Sequence, residues 1–141
     1  MVILFISMGL AWMVSAQESL TQEQLQQAAY VRHCGTCHLA LPAEVMPSQT
    51  WERLLADPDH YGQRIQPPLG VDLQLAWSYL RPNSRSVQQG EIVPFRLPDS
   101  RFFQALHPDV TFPYPPRVTT CIDCHPHVEL GDFFSLKEDA L

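Results

Sequence analysis

Apolar residues recur along this chain in short bursts separated by prolines, and four of those bursts have the spacing of a helix. Thr21-Gln22-Glu23-Gln24 reads as a capping box that opens the first. Leu25, Ala28, Ala29 and Val31 then fall roughly along one side and lead into Cys34. Ser48 is predicted to cap a second helix with Trp51, Leu54 and Leu55 on one face, stopped by Asp57-Pro58-Asp59. His60-Tyr61-Gly62 reads as a turn. Asp72 is predicted to cap a third helix carrying Leu73, Leu75, Ala76, Tyr79 and Leu80, ended by Arg81-Pro82-Asn83. Asp99 or Ser100 opens a short fourth, through Phe102, Phe103 and Leu106 to His107.

The intervals carry less signal. Leu39 to Pro47 reads as irregular, and Ser84 to Pro98 has no clear period, although Glu91-Ile92-Val93 suggests a short strand. Phe112 to Arg117 contains Pro113, Pro115 and Pro116 and must be extended. All 13 prolines lie after residue 41. Such a chain forms little regular structure and a small core. The expectation is a mainly α fold with much irregular structure, whose few short helices need something else to pack around.

The N-terminus has its own character. Val2 to Met13 is apolar but too short to span a bilayer. It leads to Val14-Ser15-Ala16 and then Gln17, a pattern that reads as a cleaved secretory signal over residues 1–16. The lack of Lys or Arg at the start leaves open that the segment stays as a weak anchor. The rest reads as one compact unit with an N-terminal region, 17–84, and a C-terminal region, 85–141. The formal net charge of −6 suits a basic docking face on a partner, acting mainly on encounter rate, or it simply aids solubility. There is no basic run, nucleic-acid motif or phosphate-binding glycine loop.

The strongest chemistry lies in Cys34-Gly35-Thr36-Cys37-His38 and Cys121-Ile122-Asp123-Cys124-His125. Each is a C-x-x-C-H box, the attachment signature of a c-type haem. Thiols two residues apart can add to the two vinyl groups of one haem, and the next histidine then sits under the iron. The 4 cysteines of the chain are all used by the boxes. A dithiol redox site or a shared zinc site would explain the cysteines, but neither needs a histidine after each pair. The reading is therefore two covalently bound haem c groups, with Cys34, Cys37, Cys121 and Cys124 as thioether residues and His38 and His125 as proximal ligands. Attachment of this kind happens outside the cytoplasm, so an exported protein is implied, in the periplasm or an equivalent lumenal compartment. With each haem tied at three points, cofactor binding becomes part of folding free energy.

The sixth iron position decides function, since a filled site carries electrons and an open one binds ligands. Four histidines remain. His33 and His127 belong to segments held on the proximal side of their own haem and read as solvent or propionate contacts. His60 and His107 have tethers that, at ~3.3 Å per extended residue, can wrap a haem edge. Sequence distance pairs His60 with the first iron and His107 with the second, while a crossed arrangement stays open. Met46, the only methionine after the apolar N-terminus, competes for at most one haem and is more suited to packing as an apolar residue. Two histidines per iron, in acidic surroundings, predict a low-potential carrier.

These residues resemble the small dihaem cytochromes c of bacterial electron transport, the DHC type. The resemblance runs from Cys34-Gly35-Thr36-Cys37-His38-Leu39-Ala40 through Met46-Pro47, Trp51 and His60-Tyr61-Gly62. It continues through Phe102-Phe103 and His107 to the second box and Gly131-Asp132-Phe133. It implies bis-histidine ligation of both haems and electron transfer between a membrane cytochrome and a soluble haem-protein acceptor. The sequence departs from that pattern over Ile92–Pro98 and Phe134–Leu141, where a docking surface could differ. The leading expectation is a soluble electron carrier rather than an enzyme. The alternatives are a small peroxidase-like or gas-binding cytochrome, with Arg64 or Arg101 beside an open iron, and a subunit of a membrane oxidoreductase.

Overall fold

The computed structural model describes residues 19–138. The predicted signal segment lies outside the described residues. The elements in order are helix α1 (Gln22–Cys34), a 3-10 turn (Ala43–Val45), α2 (Ser48–Ala56), strands β1 (Asp59–His60) and β2 (Gln63–Arg64), α3 (Gly70–Asn83), a 3-10 turn (Leu97–Asp99), α4 (Arg101–Leu106), and 3-10 turns at Cys121–Asp123 and Val128–Leu130. The architecture is mainly helical with long irregular connections, as the proline spacing implies.

The capping box of α1 is formed in both directions. The Gln24 amide donates to Thr21 Oγ1 at 3.2 Å and the Thr21 amide to Gln24 Oε1 at 2.8 Å. The inward face differs from the periodic reading. Leu25 and Val31 are 45% and 47% exposed, while Ala29 and Tyr30 are buried. Tyr30 decides the rotation of α1. Its ring stacks on Tyr79 of α3 at 5.3 Å, meets Trp51 of α2 edge-on at 6.0 Å, and its hydroxyl donates to Leu41 O at 2.6 Å. A large aromatic with partners on two elements outweighs two aliphatic side chains. Tyr30, Met46, Trp51, Leu55, Ala76, Leu80, Leu97 and Phe103 belong to one core cluster.

Two predicted caps move. Pro47, not Ser48, occupies the N-cap of α2, because proline already has the extended φ that a helix entry needs; the Ser48 hydroxyl donates to Gln49 Oε1 instead. The third helix, α3, starts at Gly70, so Asp72 lies in its first turn and accepts from Arg32 of α1 at 2.7 Å. There a carboxylate still complements the helix dipole.

The predicted strand at Glu91–Val93 is absent; that segment is irregular. Pro94 and Pro98 lack amides, so a ladder has no donors there. The stretch is fixed by side chains instead. Arg85 donates to both carboxylate oxygens of Glu91, whose side chain is 3% exposed, and the Gln88 amide donates to Glu91 Oε2 at 2.9 Å. Thr50 donates to Pro94 O, and Gln104 donates to Pro98 O at 2.9 Å. Ser100 is the N-cap residue of α4, but its hydroxyl donates to Val45 O rather than capping the helix. Among the described residues, no helix is long and apolar enough to cross a membrane.

Candidate haem-binding site

The first box begins where α1 ends. Cys34 is the last helical residue, and the Gly35 amide donates to Val31 O at 2.8 Å. A Cβ at position 35 would lie 2.6 Å from that carbonyl, so the turn into the box requires glycine. His38 follows, and its Nδ1 donates to Leu39 O at 2.7 Å. The second box opens on the 3-10 turn Cys121–Asp123, with the His125 amide donating to Cys121 O at 2.8 Å. His125 Nδ1 donates to Ser135 O at 3.3 Å, in a tail segment that folds back over the box. Burial pushes the Cys34 thiol up to about 11 and also raises that of Cys121. Among the described residues no group of three or more His, Cys, Asp or Glu is placed to hold a metal ion.

His60 ends β1 at a two-residue hairpin in which Tyr61 and Gly62 have φ of 56° and 87°. Positive φ at both positions marks a type I′ turn, strained for tyrosine. The strain is held by the Tyr61 hydroxyl donating to Phe95 O and by the Arg96 guanidinium 5.4 Å from the ring centre. His107 is the residue just after α4. Its Nδ1 donates at 2.8 Å to Phe103 O, one of the carbonyls a helix end leaves free. Its ring packs against Phe103 at 4.4 Å and Phe112 at 5.7 Å.

These elements bring four of the six histidines into two close pairs. The ring centres of His38 and His60 are 5.9 Å apart, with planes within 8° of parallel. Those of His107 and His125 are 6.2 Å apart, with planes at 87°. An imidazole nitrogen binds a metal at about 2 Å and lies roughly 1 Å from its ring centre, so two histidines on opposite sides of one ion have centres about 6 Å apart. Both pairs match that spacing. With Nδ1 of His38, His107 and His125 donating to carbonyls, the free lone pair of each is on Nε2. His60 is held toward its neutral, ligating form, its pKa lowered by burial and then by His38. The residues present therefore fit two haems, each between a box histidine and a distant one.

The remaining candidates fall elsewhere. His33 Nε2 lies 3.4 Å from Asp72 Oδ2, at the α1–α3 contact. His127 is exposed. Met46 is buried in the core cluster at 2% exposure. Arg64 and Arg101 are exposed. Sequence reasoning missed the carbonyls of Leu39, Phe103 and Ser135 that orient the rings. Backbone acceptors carry no residue identity, so no signal could have revealed them.

Comparisons with known proteins identify the family. The family model for dihaem cytochrome c, DHC, matches residues 30–133. The chain belongs to the dihaem cytochrome c family, an electron-transfer class carrying two covalently bound c-type haems. The diheme cytochrome c from Rhodobacter sphaeroides is 27% identical at a TM-score of 0.58, over 74% of this chain and 94% of that one. The diheme cytochrome type c sb-DHC from Shewanella baltica OS155 shares the fold, with 24% identity and a TM-score of 0.54 over 82% of this chain and 91% of that one. No curated protein matches the chain.

Proposed function

We propose that this protein is a soluble, exported one-electron carrier in which Cys34, Cys37 and His38 hold one haem, Cys121, Cys124 and His125 hold the other, and His60 and His107 fill the two distal positions. The observation that carries this reading is the pair of ring separations, 5.9 and 6.2 Å. When bound, the haems supply reversible Fe(III)/Fe(II) exchange. The chain's part is to fix two nitrogen donors per iron and keep small ligands from the sixth position. Donation from two imidazoles, without methionine, supports a low potential. The acidic balance, −6 before any propionates, adds to that and supports brief docking to a partner with a basic face. The partners in this reading are a membrane cytochrome as donor and a soluble haem protein as acceptor.

Carbon monoxide titration of the reduced protein tests the filled sixth positions. No binding at native pH is expected at either iron. Stoichiometric binding to one iron would replace the carrier by a ligand-binding or peroxidase-like protein.

A further inference from the structure

The two histidine pairs differ in one respect that the shared C-x-x-C-H motif does not explain: the ring planes of the first are nearly parallel at 8°, those of the second nearly perpendicular at 87°. Three of the four rings are oriented by the carbonyl to which their Nδ1 donates, while the buried Nδ1 of His60 has no hydrogen-bond partner among the described residues. His38 uses its immediate neighbour, Leu39 O, and His107 uses Phe103 O one helical turn back. Both acceptors are local. His125 alone reaches for a remote carbonyl, that of Ser135.

Ser135 O is held where it is by Asp132. One carboxylate oxygen, Oδ1, accepts the amides of Phe134 at 2.9 Å and Ser135 at 3.0 Å; the other, Oδ2, accepts the Ser135 hydroxyl at 2.6 Å. The chain enters this turn through Gly131 at φ 81° and the Asp132 amide donating to His127 O, and leaves it through the Lys137 amide donating to Cys124 O at 2.9 Å. The Asp132 carboxyl is accordingly held down at about 2, first by the Ser135 hydroxyl and then by the two amides. Phe133 lies with its ring centre 6.3 Å from that of His125. The tail from Gly131 to Lys137 is thus a clasp closed on the box at both ends, with one carboxylate at its centre.

We infer that Asp132 is a positioning residue for the second haem: through the Ser135 carbonyl it sets the plane of His125 perpendicular to that of His107, which makes the two irons electronically unlike. This rests on the bis-histidine reading. When two axial imidazole planes coincide, both donate into the same iron π orbital and split it from its partner. When they are perpendicular, each loads a different orbital and the two stay nearly equal in energy. A ferric iron of the first kind gives an ordinary rhombic low-spin resonance; one of the second kind gives a highly anisotropic low-spin resonance with a single strong low-field feature. Hydrogen bonding to an axial ligand is one of the protein's means of tuning haem.

The test is a low-temperature electron paramagnetic resonance spectrum of the oxidised, haem-loaded full chain, with its variants. The wild-type protein is expected to show one rhombic and one highly anisotropic low-spin signal in equal amounts. Asp132→Ala is expected to shift or remove the anisotropic signal and leave the rhombic one unchanged. Asp132→Asn, which keeps an oxygen for the two amides, is expected to preserve both. Should Asp132→Ala fail to take up its second haem, Asp132→Glu lengthens the side chain by one methylene at constant charge and must still move only the anisotropic signal. Two rhombic low-spin signals in the wild type, or an anisotropic signal indifferent to these changes, would overturn the inference while leaving bis-histidine ligation standing. A high-spin signal in the wild type would instead overturn the ligation reading beneath it.

Discussion

His38 and His60 have ring centres 5.9 Å apart and planes 8° from parallel, although one closes a cysteine box at the end of a helix and the other sits in a β-hairpin. Nothing in the fold requires two unlinked imidazoles to be held at that spacing. The proposed iron between them accounts for it. His60→Ala should therefore convert one iron to high-spin and make it bind carbon monoxide, with the other unaffected, and His107→Ala should do the same at the second. Optical spectra of the ferric variants read this out directly. Unchanged low-spin spectra in either variant would remove that histidine from the ligand set.

Arg85 and Glu91 clamp the proline-rich segment beside the core. The Arg85 guanidinium, through its hydrogen bonds, and then the Gln88 amide hold the Glu91 carboxyl down at about 2. A depressed pKa means the folded state prefers the ionised form, so this contribution is complete above the ordinary glutamate value near 4.5 and is lost as pH falls from there towards 2. Glu91→Gln should cost about 2 kcal/mol at pH 7, by analogy with other buried charged hydrogen bonds, and the difference from wild type should shrink as the pH is lowered through that window. Denaturant unfolding at several pH values checks the sign. A difference that grows on acidification would contradict it.

Gly35 is needed for space rather than for backbone freedom, since its φ is −97°. Gly35→Ala places a Cβ against the Val31 carbonyl, a backbone atom that cannot swing away. The expected cost is about 2 kcal/mol, as for overpacked sites generally, with a lower yield of the first haem. Thermal unfolding and intact mass report the two effects separately.

Thr50 is fully buried and its hydroxyl donates to Pro94 O. Thr50→Val keeps the shape and leaves that carbonyl without its partner. A loss of about 1 to 3 kcal/mol is expected, with both haem spectra intact. An unchanged midpoint of unfolding would show that the proline segment is held by other means.

Much of this was readable before any coordinates. The two boxes, the capping box at Thr21, the turn at His60-Tyr61-Gly62 and the stop at Asp57 are local signals, and local chemistry decides them. The readings that moved were those decided by contacts distant in sequence. Leu25 and Val31 look like a core face until Tyr30 finds Tyr79 and Trp51. Glu91-Ile92-Val93 looks like a strand until Glu91 turns inward to Arg85. The candidate site was legible as a set of residues but not as a geometry. Ring planes depend on Leu39, Phe103 and Ser135 carbonyls, and a carbonyl is common to every residue.

The haem-free chain should lack a cooperative fold. Its helices are short, its core is small, and each box sits where a haem would tie two segments together. Protein made without haem attachment should show reduced helical circular dichroism and no sharp unfolding transition. A cooperative transition equal to that of the loaded protein would mean that the polypeptide core suffices.

The most direct test of the account is near-infrared magnetic circular dichroism of the oxidised protein, which identifies the axial donor pair at each ferric haem from its charge-transfer band. Two low-spin irons, both with the band of paired imidazole nitrogens, are predicted. A band of sulfur-ligated iron, or the signature of a high-spin iron in the native protein, would contradict it.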